Sequence, residues 1–266
     1  MRAQLNIAVS AARAAGDLIV RHMMRGGTTK VAQKGLNDFV TQVDGAAEQV
    51  IVDTILQAYP DHAILGEEHG SSGNPDSDYQ WIIDPLDGTT NFIHDNPQFA
   101  VSIALAVNGQ LEVGVIYDPL RQELFTAVRG GGAQLDGKRI RVTQARDLEQ
   151  GLVGTGIPFS NFEHLDAYMA MLKKVVKNTA GVRRPGSAAL DLAWLAAGRL
   201  DAFWELGLKP WDIAAGALMI KEAGGMVADI SGASLDLKRG HIVAGNARTL
   251  AALMKMIGPH VPSELR

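Results

Sequence analysis

The sequence predicts a mixed α and β chain, with two N-terminal helices, an antiparallel sheet and then a half in which strands and helices alternate. Three observations predict this. Apolar residues recur at helical spacing near the N-terminus, Asn-Gly and Asp-Gly dipeptides separate apolar runs from Phe99 onward, and short strands interleave with helical segments after Gln150. At 266 residues the chain exceeds the usual size of one core, so one large unit or two domains sharing a cleft is expected.

The first helix runs from Leu5 to Met24, with Leu5, Ala8, Ala12, Ala15 and Ile19 on one face. Arg13 and Asp17 interrupt any continuous apolar core, which favours an amphipathic helix over a signal peptide. A second helix spans Asp44 to Tyr59 and is ended by Pro60. The polar stretch KVAQKGLNDFVTQVD between them carries the turn residues Gly35, Asn37 and Asp38. Short apolar runs follow at Ala63–Leu65 and Trp81–Ile83, and SSGNPDSD at 71–78 reads as an exposed turn.

AVSIALAV, LEVGVIYD and ELFTAV then read as strands, with turns at Asn108–Gly109, Gly130–Gly132 and Asp136–Gly137. Beyond TQARDLEQ, LVGTGIPF is strand-like and His164–Val176, Ala188–Ala197 and Ile213–Ala223 are helical. DAFWE, MVADI and HIVAGN supply short strands. A boundary near Gln150 divides an N-terminal α+β domain, 1–150, from a C-terminal α/β domain, 151–266, that completes the cleft.

Hydrophobic residues at 47% and charged residues at 20% describe a globular chain. A net charge of −4, from 25 basic and 29 acidic residues, excludes a broadly basic coat for nucleic acid. Cysteine is absent, which removes disulfides, thiolate metal sites and cysteine nucleophiles, and permits a reducing compartment. No stretch has the length and apolarity of a membrane span, so a cytoplasmic protein with no membrane partner is expected.

Three acidic segments carry the candidate chemistry: LGEE at 65–68, WIIDPLDGTTNF at 81–92 and WDIAAG at 211–216. Pro85 fixes its own φ and biases Asp84 toward extended backbone, so the chain is expected to leave its strand abruptly there. Asp84 and Asp87 can then turn inward with the Leu86 carbonyl between them, a hard-oxygen set of the kind magnesium takes. Gly88 and Thr89 leave backbone N–H groups free for an anion. Read alone, each segment has a plainer meaning. The second is equally an Asp-rich turn, Glu67-Glu68 a solvated loop, and Asp212 a first-turn helix acid.

Together these segments resemble the inositol monophosphatase family of the lithium-sensitive sugar-phosphatase superfamily, nearest its bacterial SuhB-type branch. The resemblance extends through KGLNDFVTQVD at 34–44, RRPGSAALDLAWLAAGRLD at 183–201 and WDIAAGALMIKEAGG at 211–225. It implies a five-layer α-β-α-β-α sandwich and a site between the halves holding two or three Mg2+ ions. By match of motif, Glu67, Asp84 and the Leu86 carbonyl hold the first ion. Asp84, Asp87 and Asp212 hold the second, and Glu67 also supports a third. Thr89 helps to activate the attacking water and Asp44 orients Thr89, with Glu67 also in the catalytic set. Phosphate meets the N–H groups of Gly88 and Thr89. Substrate hydroxyls meet Asp87, Glu205, Asp212 and the backbone of Gly186, Ser187 and Ala188, and Lys34 lies near the metals.

The implied activity is hydrolysis of myo-inositol monophosphate to inositol and phosphate, by in-line attack of water without a phosphoenzyme. A homodimer and sensitivity to lithium follow from the same resemblance. Sugar bisphosphates, nucleotide 3′-phosphates and histidinol phosphate are alternative substrates. A SuhB-type role as partner of transcription antitermination factors is a second alternative, for which Arg183 and Arg184 offer a dimer or partner surface. Ile157 and Trp204 depart from the family pattern and are expected to reshape the substrate wall. Histidines lack paired ligand spacing, so zinc is not suggested. The glycines at 130–132 read as a hairpin turn, not a phosphate loop.

Overall fold

Two sheets with helices outside and between them form the molecule, a computed structural model that describes residues 1–25, 31–35, 38–158 and 162–266. The larger sheet has eight strands in the order β10 (Lys138–Arg139), β9 (Gly132–Leu135), β8 (Glu123–Val128), β7 (Gln110–Asp118), β6 (Ala100–Val107), β5 (Tyr79–Asp87), β3 (Ala63–Gly66) and β4 (Gly70–Gly73). Every pairing in it is antiparallel except β3 with β5. The smaller sheet orders β12 (Gly181–Arg183), β11 (Leu152–Thr155), β13 (Ala202–Glu205), β15 (Ile242–Gly245) and β14 (Met226–Ala228). Here β11 runs parallel to both neighbours, and β15 is antiparallel to β13 and β14.

One outer layer comprises α1 (Arg2–Met24) and α2 (Gln42–Ala58), packed on the larger sheet. The α1 face is built from small residues, Ala8, Ala11, Ala12, Ala15 and Gly16, all buried. This lets the helix sit close: a Cβ on Gly16 would stand 2.7 Å from the Tyr117 ring. Strand β6 then divides its side chains by the two-residue period. Val101, Ile103 and Leu105 join the core under α1 and α2, whereas Ala100, Ala104 and Ala106 join the core on the opposite face.

That opposite face meets α5 (Ala188–Ala196) and α6 (Pro210–Glu222), which lie between the sheets. Residues Ile213–Ile220 of α6 are all buried, as a helix enclosed on all sides requires. Outside the smaller sheet, α4 (Leu165–Val176) and α7 (Ala247–Ile257) each bury one face over a third core. The layers therefore run α1/α2, large sheet, α5/α6, small sheet, α4/α7: the expected five-layer sandwich. A short helix, α3 (Thr89–Ile93), follows β5 directly.

Several elements differ from the sequence expectation. The polar stretch after α1 contains a hairpin, β1 (Val31–Gly35) with β2 (Asp38–Thr41). The segment at 71–78 opens within β4, whose glycines and serines pair with β3 although most of their surface is exposed. Helix α7 was not foreseen. Its N-cap is Asn246, whose side chain accepts the N–H groups of Arg248 at 2.8 Å and Thr249 at 3.0 Å. Among the described residues no helix is long and apolar enough to cross a membrane.

Candidate active site

The site grows from a fault in strand β5. Its register with β6 is regular to Asp84 opposite Ser102 and resumes at Asp87 opposite Ala100, so Pro85 and Leu86 lie in a bulge. Proline lacks an N–H and suits a position where the ladder is interrupted. The chain thus does not leave the strand at Pro85, as its sequence suggested, but bulges and rejoins it. Within the bulge the Leu86 N–H donates to Asp84 Oδ1 at 3.0 Å, and the Leu86 side chain enters the core beneath α1 and α2.

Gly88 follows with φ of 102°, in the left-handed region that favours glycine. A Cβ there would stand 2.8 Å from the Gln98 carbonyl oxygen and 3.3 Å from that of Gly186. The Asn91 side-chain amide fastens the same neighbourhood by donating to Gln98 O at 2.8 Å and Pro185 O at 3.0 Å. The turn after β5 and the segment before α5 are thereby joined over 94 residues of chain.

Asp44 begins as a capping residue. Its Oδ2 accepts the Thr41 N–H at 2.9 Å, while Thr41 Oγ1 accepts the Val43 N–H, a reciprocal box at the start of α2. Its other oxygen accepts the Thr89 hydroxyl at 2.8 Å. Asp44 is wholly buried, and burial raises its pKa against the opposing hydrogen bonds from Thr41 and Thr89.

The remaining acids arrive from three directions. Glu67 follows β3, with its N–H on the Ile83 carbonyl at 3.1 Å. Asp87 ends β5, and its Oδ2 accepts the Ser187 hydroxyl and the Ala189 N–H, the latter at 2.7 Å, at the positive end of α5. Burial lifts the Asp87 pKa to about 6, with these hydrogen bonds resisting. Asp212 stands in the first turn of α6 behind Pro210, and its Oδ2 accepts the Lys209 N–H at 2.7 Å. Burial, and then the charge of Asp87, push its pKa up to about 8.

Glu67, Asp84, Asp87 and Asp212 line one cavity of about 620 Å3, together with Leu86, Gly88, Thr89, Gly186, Ser187, Ala188 and Glu205. Asp84 is 2% exposed, and its pKa is raised far above the ordinary value by burial and then by the charges of Glu67, Asp87 and Asp212. Glu67, Asp87 and Asp212 thus bear on Asp84 as neighbouring like charges. Acids buried together in this way need protons or an equivalent positive charge. A divalent cation is such a charge, and the donor set is entirely hard oxygen, so these residues fit magnesium. As they stand, no three His, Asp or Glu side chains among the described residues already form a metal cage.

The wall beyond Asp87 is also acidic. Glu205 ends β13 and is buried rather than exposed; burial raises its pKa to about 8, and Arg184 opposes that rise. Gly156 permits this placement, since a Cβ there would fall 1.7 Å from Glu205 Oε1. Arg183 and Arg184 are both exposed, as their sequence suggested, but Arg184 also lines the cavity beside Glu205. The Ser187 hydroxyl is committed to Asp87, which leaves the backbone of this segment as its face toward a ligand. Ile157 lines the cavity as expected, but Trp204 does not: it is wholly buried and stacks on Tyr168 at 5.8 Å. The Lys34 side chain lies outside the described residues.

Sequence reasoning singled out neither Asn91 nor Asp191, and gave Arg184 a partner surface rather than a place in this cavity. Asp191 is 2% exposed, lines the cavity, and leaves Oδ1 without a hydrogen-bond partner among the described residues. Its signal was its place four residues after Ser187, one turn farther along the same helix face.

The chain matches the pattern of the inositol monophosphatase family over residues 1–261. It is 53% identical to a Pseudomonas aeruginosa protein named Nus factor SuhB over 270 residues, covering 100% of each chain. The extragenic suppressor protein suhB of Bartonella henselae superposes with a TM-score of 0.94 at 42% identity, over 97% of this chain and 100% of that one. An inositol monophosphatase from Anabaena gives 0.85 at 38% identity, over 99% and 98% of the two chains. The shared fold, and a match that includes every acidic segment of the cavity, establish that this chain belongs to the inositol monophosphatase family.

Proposed function

We propose that the protein is a magnesium-dependent phosphatase that hydrolyses a small phosphate monoester, with inositol monophosphate as the leading substrate. The observation that carries this reading is the convergence of Glu67, Asp84, Asp87 and Asp212 on one cavity beside Thr89. Glu67, Asp84 and the Leu86 carbonyl would hold one ion, and Asp84, Asp87 and Asp212 a second, with Glu67 available to a third. Bound magnesium supplies charge neutralisation at the phosphoryl oxygens and a lowered pKa for water.

The protein's own groups supply orientation. The Thr89 hydroxyl donates to Asp44, so its lone pairs remain to accept a proton from water, and Asp44 Oδ1 can receive the hydroxyl proton in turn. Burial raises the proton affinity of Asp44, which suits it to that task. The N–H groups of Gly88 and Thr89, at the start of α3, bind phosphate oxygens. Glu205, Arg184 and the backbone at 186–188 receive the hydroxyls of the alcohol. A panel of inositol, sugar and nucleotide phosphates, assayed with magnesium and with a chelator, tests this. No phosphate release from any ester would refute it, and faster turnover of another ester would displace inositol phosphate.

A second reading draws on the name Nus factor carried by the Pseudomonas relative. In it the chain, as a cytoplasmic homodimer, acts chiefly as a partner of transcription antitermination factors, and hydrolysis is secondary. Full rescue of a deletion strain by Asp84→Asn protein would favour this reading; failure to rescue would favour hydrolysis.

A further inference from the structure

We infer that Glu48 is a positioning residue for Glu67, acting by holding the turn that presents this carboxylate to the cavity; the inference rests on the reading of Glu67 as a metal ligand. Glu48 lies on α2 and is wholly buried. Its Oε2 accepts the Glu68 N–H at 2.9 Å, and its Oε1 accepts the His69 N–H at 2.8 Å and meets His69 Nδ1 at 2.6 Å. The two backbone donors are the residues immediately following Glu67. On the other side, the Glu67 N–H is fixed to Ile83 of β5 at 3.1 Å. Glu67 is thus clamped between a helix carboxylate and the strand that bears Asp84.

The approach is close enough to dictate the residue before Glu67. A Cβ on Gly66 would stand 2.6 Å from the Glu48 carboxyl carbon and Oε2. A fully buried carboxylate is costly unless hydrogen-bonded, and Glu48 lies among the buried apolar side chains Ala47, Ile51 and Ile55, with buried Asp44 one turn before it. Two backbone N–H groups on one turn need an acceptor at each oxygen, which a carboxylate provides and an amide does not. Glu48→Gln therefore aims an NH2 at one of those donors while keeping the volume.

Isothermal titration calorimetry of magnesium into wild-type and Glu48→Gln protein tests the inference, with thermal unfolding as a check on the fold. The expected result is magnesium binding weakened at least about 10-fold, with kcat at saturating magnesium within about 2-fold of wild type. In a Glu67→Gln background the same substitution should cost little further affinity, because it acts through Glu67. Unchanged affinity in Glu48→Gln, or losses that add in full, would overturn the inference. Should Glu48→Gln fail to fold, His69→Ala removes only the half-exposed ring. It should weaken magnesium about 2-fold to 3-fold, and unchanged binding would count against the inference. Wild-type protein that binds no magnesium would instead refute the ligand reading of Glu67 beneath it.

Discussion

The hydroxyl of Thr89, at the start of α3, donates to the buried carboxylate of Asp44, in the first turn of α2, at 2.8 Å across 45 residues of chain. Asp44 also caps its own helix through Thr41, so one side chain holds both a helix start and the Thr89 hydroxyl. Thr89→Val keeps the shape and removes the hydroxyl. We expect kcat to fall on the order of 100-fold with little change in KM, the range for losing a positioned proton-transfer group. Steady-state kinetics with inositol monophosphate checks this, and near-wild-type kcat would remove Thr89 from the mechanism.

Asp84 is where function and stability pull in opposite directions. Its carboxyl is buried among three other acids that all raise its pKa. Asp84→Asn should lower turnover by on the order of 1000-fold or more, while the magnesium-free protein melts higher by a few degrees because the cost of burying an ionisable acid among like charges is gone. Paired activity and melting measurements read both signs. A drop in Tm without magnesium would show that Asp84 stabilises the fold instead.

Glu205 sets a pH dependence of stability. Its ordinary pKa of 4.5 is raised to about 8 in the folded chain, chiefly by burial. Between those values the folded state holds a proton that the unfolded state has released, so stability falls as pH rises. The contribution is complete below the unfolded value and is lost on passing through about pH 8. Magnesium-free protein should therefore melt several degrees lower at about pH 9 than at about pH 5, and Glu205→Gln should flatten that slope. A melting profile whose slope is the same in both proteins would contradict the buried position of Glu205.

Arg184 opposes the raised pKa of Glu205 and lines the same wall. Arg184→Ala should raise KM for a polyol phosphate about 10-fold, with a smaller effect on a plain alkyl or aryl phosphate, since the loss lies on the alcohol side. Equal losses on both substrates would place Arg184 on the phosphate side.

The layers were legible because their signals are local. The 3.6-residue spacing in α1, the hairpin dipeptides around β6, β7 and β8, and the caps of α5 and α6 each depend on a few neighbouring residues. The acidic segments were legible as motifs, and the cavity that unites them comes from tertiary packing. What stayed hidden depends on partners far away in the chain. The strand β4 is short, with serines and glycines held by pairing to β3 rather than by propensity. Pro85 reads as a strand end because a bulge is visible only against β6. Trp204 sits at a varied position beside Glu205, but alternation along β13 turns its ring away from the cavity and into the core beneath α4 and α7. Arg184 keeps the exposed surface its sequence suggested, and only packing shows that it lines the cavity with buried Glu205, 21 positions on.

Crystals soaked in manganese, as an anomalously scattering substitute for magnesium, offer the most direct test of the metal site. The expected result is anomalous density between Asp84 and its neighbours Glu67, Asp87 and Asp212, with carboxylate oxygens about 2.0–2.3 Å from each peak. A cavity without such density at saturating manganese would contradict the metal-dependent phosphatase.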